Sequence, residues 1–361
     1  MKIALIAFGF YEYTIDLANA LAKSEQVILL IPSSIADSYR EFIAENIMLS
    51  GFKKAKKMRY PINSIYILQI IKRLRKYKPN IVHYQSSAYP WFDICVPYFA
   101  KFNLVVTVHD PLPHFGKEKQ FNVPYTNYLI SKHAKQVIVH GKILRDSFLK
   151  QYSYSIVDIH VIPVGVLSFY LHWRRSNVEE KRKVLFFGSI WPYKGLEYLI
   201  MAEPLISKEF PDIKIVIAGE GEDFKRYENY IVNKNNFELY NYRVPNNLLG
   251  RLFQEATVVV LPYVEATQSG VIPIAWAFAK PVITTPVGAI PEVVEDGKTG
   301  ILVPPKNVER LANAVIDLLK NDDKREVIGK NAYAKAFTEY SWDRIAEQHK
   351  QVYKKAMAKR C

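Results

Sequence analysis

Cysteine is nearly absent: only Cys95 and Cys361 occur in 361 residues. That excludes a disulfide framework and points to a reducing, cytoplasmic setting. Long apolar runs are missing too, and none approaches the roughly 20 residues that span a bilayer. The opening Met1-Lys2-Ile3-Ala4-Leu5-Ile6-Ala7 is too short for a signal-peptide core and lacks a small-residue cleavage site, so it reads as a first strand. Any membrane is therefore met from its surface, and the expected location is the cytoplasm, with peripheral placement on the inner face of the cell membrane. Acidic residues are outnumbered, 35 against 49 lysines and arginines, leaving a net charge of +14. Such a field attracts polyanions without choosing among nucleic acid, anionic lipid and phosphorylated small molecules. No base-reading module is recognisable, so nucleic acid is not an expected partner. The first strand–helix turn, Ala7-Phe8-Gly9-Phe10-Tyr11-Glu12, carries one glycine where the dinucleotide fingerprint needs three, which argues against a nicotinamide oxidoreductase.

What is present is a strict alternation. Hydrophobic residues make up 49% of the chain, enough to bury a large core, and the length suits two domains. Short β-branched runs at Ile3–Ala7, Val27–Ile31, Ile81–Tyr84, Leu104–Val108, Gln136–Val139 and Ile159–Ile162 predict strands. Helical periods fall between them at Thr14–Lys23, Ser64–Tyr77, Pro90–Phe102 and Lys142–Gln151. A second set of strands is predicted at Val184–Phe187, Lys214–Ala218, Phe237–Tyr240, Val258–Leu261, Val282–Thr284 and Ile301–Val303. Continuously apolar strands alternating with helices predict parallel sheets covered on both faces, an α/β architecture. The alternation weakens around Ser168–Lys183. We therefore expect one domain over 1–170, a second over 178–338, and a final helical segment over 339–361.

In such sheets ligands bind beyond the carboxyl ends of the strands, and four stretches there carry the chemistry. Phe187-Gly188-Ser189-Ile190-Trp191-Pro192-Tyr193-Lys194-Gly195 leaves a strand through glycine and opens a helix, so that Lys194 offers a charge to a diphosphate; the plainer reading is a turn with a solvated lysine. Pro262-Tyr263-Val264-Glu265-Ala266-Thr267-Gln268-Ser269-Gly270-Val271 leaves a buried strand through small and polar residues. Thr267, Ser269 and Gly270 suit a helix N-terminus whose amides bind phosphate, and Glu265 suits sugar or ribose hydroxyls; a simple helix cap would use the same residue types. Val287-Gly288-Ala289-Ile290-Pro291-Glu292 reads as a turn, with Glu292 structural. Thr107-Val108-His109-Asp110-Pro111 ends a strand in a histidine that Asp110 is placed to orient, and the following loop, with His114, gives access to a cleft. Gly9, at the end of the first strand, permits close backbone approach.

In this order these stretches resemble the retaining GT-B glycosyltransferases known as family 4, or group 1. The resemblance extends to Gly219-Glu220-Gly221, Lys280-Pro281-Val282, Asp296-Gly297…Gly300, Ile162-Pro163-Val164-Gly165 and Phe337…Ser341-Trp342. It implies two Rossmann-like domains facing across a cleft, with a C-terminal helix crossing back to the N-terminal domain. It further implies a UDP-, GDP- or similar nucleotide-sugar donor in the C-terminal half and a glycan or lipid-linked acceptor in the N-terminal half. Transfer is then of a hexose with retention, without metal or other cofactor, in cell-surface glycan assembly. By resemblance Lys194 clamps the diphosphate, Ser269-Gly270-Val271 cradle it, and Gly9 and Gly188 approach it. His109 with Asp110 lies near the transferred sugar, Glu265 binds it with Gln268 taking part of the polar load, and Tyr242, Arg243 and Val244 hold the base. Three positions depart from the pattern: Ser189 stands where arginine is usual, and Ala266 and Ile274 stand where two glutamates are usual, with Glu265 one residue from the first. No side chain is an obvious covalent nucleophile. A non-catalytic glycosyltransferase-like partner subunit and a sugar-nucleotide epimerase on the same fold remain as alternatives.

The excess charge has a local focus. Residues 52–78 interleave cations with aromatics and end in a helix with an apolar stripe and a cationic tip. That pattern fits an anionic membrane surface, and fits equally a core-packed helix with a solvated basic face.

Overall fold

In the computed structural model the described residues are 1–53, 62–87, 89–111, 122–152, 157–176, 178 and 182–358. They fall into two compact units. The first holds the described residues up to Gly165 and those from Ser341 onward; the second runs from Val166 to Tyr340.

The first unit is built on a seven-stranded sheet of β1 (Lys2–Ala7), β2 (Gln26–Pro32), β3 (Met48–Phe52), β4 (Ile81–Ser86), β5 (Leu104–Val108), β6 (Gln136–Val139) and β7 (Asp158–Val161). The order is β3-β2-β1-β4-β5-β6-β7, and all pairs are parallel, for example Ile3 beside both Val27 and Ile81. The central strands are buried at nearly every position, which explains their continuous apolar runs. The edge strand β3 escapes the sequence reading because Ser50 and Gly51 interrupt it and four of its five residues are partly or wholly exposed. The single helix expected over Pro90–Phe102 is corrected to three short turns, Pro90–Asp93, Val96–Phe99 and Ala100–Phe102. Pro97 has no N–H to continue the ladder and its ring crowds the preceding turn. The last helix, Trp342–Ala358, belongs to this unit and packs on helix Tyr11–Ala22 and on β4, β5 and β6.

The second unit contains β8 (Lys183–Phe187), β9 (Lys214–Ala218), β10 (Phe237–Tyr240), β11 (Val258–Leu261), β12 (Val282–Thr284) and β13 (Ile301–Leu302). Their order is β10-β9-β8-β11-β12-β13, again parallel throughout. Its core joins Phe186, Ile217 and Val260 of the sheet to Leu199 and Ile206 of helix Leu196–Glu209 and Leu311 and Val315 of helix Val308–Lys320. Segment Ser168–Trp173 packs here against helix Asn246–Glu255. Each sheet reverses its winding once, beside β1 and beside β8. The carboxyl ends of β1 with β4, and of β8 with β11, are therefore the ligand crevices this topology creates.

Candidate functional site

At the second crevice the chain leaves β8 through Gly188, at φ 135°, where a Cβ would lie 3.8 Å from Val271 Cγ2. The exit of β8 thus faces the start of helix Val271–Ala277. Gly219, after β9 and at φ 147°, lies so close that a Cβ would overlap the Gly188 carbonyl oxygen. Only glycine combines that dihedral with that approach.

Lys194 closes a single 3₁₀ turn, Pro192–Lys194, that ends in Gly195 at φ 64° against the Pro262 carbonyl. The amides of Val264 and Glu265 donate to the Tyr193 carbonyl at 2.9 and 3.2 Å, which ties the loops after β8 and β11 together. The Lys194 ammonium sits 3.9 Å from the centre of the Tyr263 ring, a cation–π contact. Tyr263 is fully buried, and burial pushes its phenol far above the ordinary range, so it stays a neutral hydroxyl. That hydroxyl is 3.1 Å from Ser269 Oγ, which in turn accepts the Val271 amide at 3.3 Å. Lys194 and Ser269 therefore converge on one tyrosine.

The same loop is pinned from behind. Thr285 Oγ1 donates to the Tyr263 carbonyl at 2.6 Å and the Ala289 amide to the Thr267 carbonyl at 3.0 Å. Gly288, at φ 55°, leaves no room for a Cβ beside the Ala266 carbonyl. Within this pinned loop Gln268 Oε1 is buried without a hydrogen-bond partner. Such an orphan costs about 1–3 kcal/mol and marks a place where an incoming donor is useful. Next to it, Gly270 borders open space, since a Cβ would meet nothing within 4 Å. Glu265 and Glu292 are exposed and Ser189 is half-buried, whereas Ala266 and Ile274 lie inside. Tyr242 and Arg243 are exposed and Val244 half-buried in the segment after the edge strand β10.

At the first crevice Gly9 follows β1 with its Cα hydrogen facing Ser87 beyond β4; a Cβ would lie 3.4 Å from Ser87 Cβ. The left-handed residue here is Phe10, at φ 54°, which heads helix Tyr11–Ala22. Its ring stacks on His109 at 3.7 Å and 16°. His109 is only 2% exposed, so the side chain is a buried one rather than the open, mobile one its loop had implied. His114, in that loop, lies outside the described residues. The orienting role expected of Asp110 is also corrected. The two ring nitrogens are engaged by Gln85 at 3.0 Å and His140 at 2.9 Å. Asp110 acts on the ring by charge, favouring protonation against the stronger opposing effects of burial and of His140.

Sequence reasoning passed over Gln85, His140 and Tyr263. His140 follows β6 as His109 follows β5, and that shared strand-end place was the available signal. Gln85 sits inside a buried strand and Tyr263 looks like an ordinary core aromatic, so neither advertised itself. Among the described residues no group of three or more His, Cys, Asp or Glu is placed to hold a metal ion, and no helix is long and apolar enough to cross a membrane.

Comparison with known proteins matches residues 9–166 to the model described as Glycosyltransferase Family 4 and residues 181–321 to that described as Glycosyl transferases group 1. An uncharacterized glycosyltransferase of Methanocaldococcus jannaschii is 32% identical over 244 residues, 64% of this chain and 62% of that relative, so the chain spans less than two thirds of its length. Among solved structures, a sucrose-phosphate synthase from Thermosynechococcus elongatus superposes with a TM-score of 0.74 at 18% identity over 99% of both chains. Anabaena HepE, in complex with UDP-glucose, gives 0.73 at 16% identity over 98% of this chain and 99% of that one.

Proposed function

This chain belongs to the family 4, group 1 glycosyltransferases of the GT-B fold, and from that premise we propose that it transfers a hexosyl unit, with retention, from a nucleoside diphosphate sugar to a glycan or lipid-linked hydroxyl in cell-surface glycan assembly. The observation that carries the reading is the convergence of Lys194 and Ser269 on Tyr263, beside the open face of Gly270 and the unsatisfied Gln268 Oε1. A diphosphate leaving group gains negative charge as the glycosidic bond breaks. A cation and preset hydrogen-bond donors at that place stabilise the transition state more than the ground state. In this proposal the second unit holds the donor and Lys194, not a metal ion, supplies the compensating charge. Glu265 and Gln268 meet hydroxyls of the sugar or ribose, and Tyr242–Val244 border the base. The acceptor hydroxyl attacks from the face the leaving group vacates, and the departing phosphate takes its proton.

The test is a thermal-shift panel of UDP-, GDP-, ADP- and dTDP-sugars, followed by turnover of the stabilising donor. Lys194→Ala should lower turnover at least about tenfold, the scale of one lost charge-stabilising contact; a smaller loss removes Lys194 from the mechanism. Ser189 and the buried, apolar Ile274 favour one rival, a subunit that binds donor without transfer. Binding of a nucleotide sugar with neither transfer nor slow donor hydrolysis would establish that rival.

Peripheral membrane contact belongs to the same proposal. Helix Ile62–Tyr77 buries Ile67, Ile70 and Leu74, yet Ile62, Ile65 and Leu68 are exposed on another face. Ile94 is exposed as well, and Lys72, Arg75 and Lys76 are exposed at the helix's end. Residues 54–61, the other basic run, lie outside the described residues. An apolar face with a cationic border suits an anionic lipid surface. Leu68→Glu should reduce co-sedimentation with phosphatidylglycerol vesicles, and binding indifferent to anionic lipid and to salt would end the idea.

A further inference from the structure

Four histidines are buried together in the first unit: His83 on β4, His109 after β5, His140 after β6 and His349 on the last helix, each no more than 3% exposed. Their nitrogens are linked in sequence. His140 Nδ1 is 2.9 Å from the Ile162 carbonyl and His140 Nε2 is 2.9 Å from His109 Nδ1. Gln85 Oε1 is 3.0 Å from His109 Nε2 and Gln85 Nε2 is 3.3 Å from His83 Nε2, which also meets Thr107 Oγ1 at 2.8 Å. His83 Nδ1 is 2.7 Å from the Tyr353 hydroxyl. Beside this row, His349 Nδ1 is 2.8 Å from the Ile345 carbonyl and its Nε2 is 3.4 Å from the Tyr13 hydroxyl.

We propose that Gln85 and His140 are positioning residues that lock His109 as the Nδ1–H tautomer, within a single one-way hydrogen-bonded chain running from Tyr353 to the Ile162 carbonyl. The direction follows from its end. A carbonyl only accepts, so His140 Nδ1 carries the proton, and a neutral ring then leaves Nε2 bare. His109 Nδ1–H must donate to it, and His109 Nε2 is left as an acceptor. Gln85 must therefore turn its amide over, presenting its NH₂ to that nitrogen and its oxygen to His83. An amide's two ends share one shape, so the network decides which is which. His83 therefore donates through Nε2, and Tyr353 donates its O–H to His83 Nδ1. The opposite amide orientation would require a doubly protonated ring at His140, which burial holds down at about 4, or at His109, which burial also holds well below the ordinary range. His83 and His109 are also held well below the ordinary range, by burial first and by neighbouring histidines next. The titratable groups facing the row are Asp110, Tyr13, Tyr353 and His349; Asp110 alone favours protonation of His109, and it is outweighed. With both nitrogens occupied and Phe10 over its face, His109 serves as a fixed neutral ring, neither acid nor base. This deepens the assignment of the acceptor-side unit but stands on the first unit's geometry alone.

The test is long-range ¹H–¹⁵N correlation of the histidine side chains in the full chain at pH 7, with histidines assigned by single substitution. We expect Nδ1–H for His109, His140 and His349 and Nε2–H for His83, although the free side chain favours Nε2–H. His140→Gln retains an acceptor for His109 and should leave His109 and His83 unchanged. His140→Leu removes it, so His109 should switch to Nε2–H, Gln85 should turn over, and His83 should switch to Nδ1–H. An Nε2–H His109 in the unaltered protein, a doubly protonated His140, or a His83 that ignores His140→Leu overturns the proposal. Where His140→Leu fails to fold, the spectra of the unaltered protein and of His140→Gln decide. A failed donor assay has no bearing on these spectra, and the spectra have none on donor binding.

Discussion

Replacing Asp93 with asparagine should change stability by an amount that shifts in the variant's favour as pH rises from 5 to 8. Asp93 ends the turn Pro90–Asp93 and is wholly buried. It accepts from Tyr84 at 2.9 Å and from Thr126 at 2.7 Å. Both hydroxyls favour the carboxylate, but burial outweighs them and pushes the carboxyl up to about 7. A raised acid binds its proton in the folded chain where the unfolded chain has released it, so stability is lost as pH climbs from about 4 to about 7. Between pH 5 and pH 7 only the unfolded form is ionised, and two units at 1.36 kcal/mol each give about 2.7 kcal/mol. Asparagine resembles the protonated acid and does not titrate. The stability difference between Asp93→Asn and the unaltered protein should therefore move by about 2.7 kcal/mol in the variant's favour from pH 5 to pH 8. The histidines titrate alike in both proteins and cancel. Urea unfolding of both proteins at both pH values measures this. A difference constant to within about 0.5 kcal/mol, the usual scale of a neutral change, would mean that Asp93 is ionised or hydrated in the native state.

Three further outcomes are expected. Burial lowers His140 and His349 to about 4; because the unfolded rings take protons from pH 6.5 downward and the folded ones do not, stability should fall between about 6.5 and 4 and level off below. In Asp93→Asn that decline should be steeper than in the unaltered protein, since the opposing carboxyl is gone, and parallel urea series would show it. Ala279 ends helix Val271–Ala277 at φ 54°, so Ala279→Gly should relieve left-handed strain and raise stability by about 0.5–1 kcal/mol in thermal or urea unfolding. Gly288→Ala would drive a methyl into the Ala266 carbonyl; we expect donor-induced thermal shift to be lost while the buried-histidine spectra of the first unit persist, and an unimpaired shift would show that the Ala266–Gly288 contact is dispensable.

Much of the fold was legible before any coordinates. Buried parallel strands must be apolar on both faces, so β1, β5, β6, β9 and β11 announced themselves within a residue of their ends. Gly288 was readable as a turn, and its φ of 55° shows why no side chain serves there. The edge strand β3 was not legible, because half-exposed residues carry no apolar period. Nor was the fracture of Pro90–Phe102, although Pro97 was its visible cause.

Local periodicity determined which segments became strands and helices, and the order of motifs determined the family. Neither could say which residues would meet. His109 and Gln85 are 24 positions apart, His109 and His140 31, and Tyr353 reaches His83 across 270. Sheet order and the docking of the last helix bring those pairs together. Those same contacts, made where the rings are buried, turned an expected cleft-facing His–Asp pair into a buried neutral chain. Burial and partner choice arise from packing distant segments, and a one-dimensional pattern does not carry them.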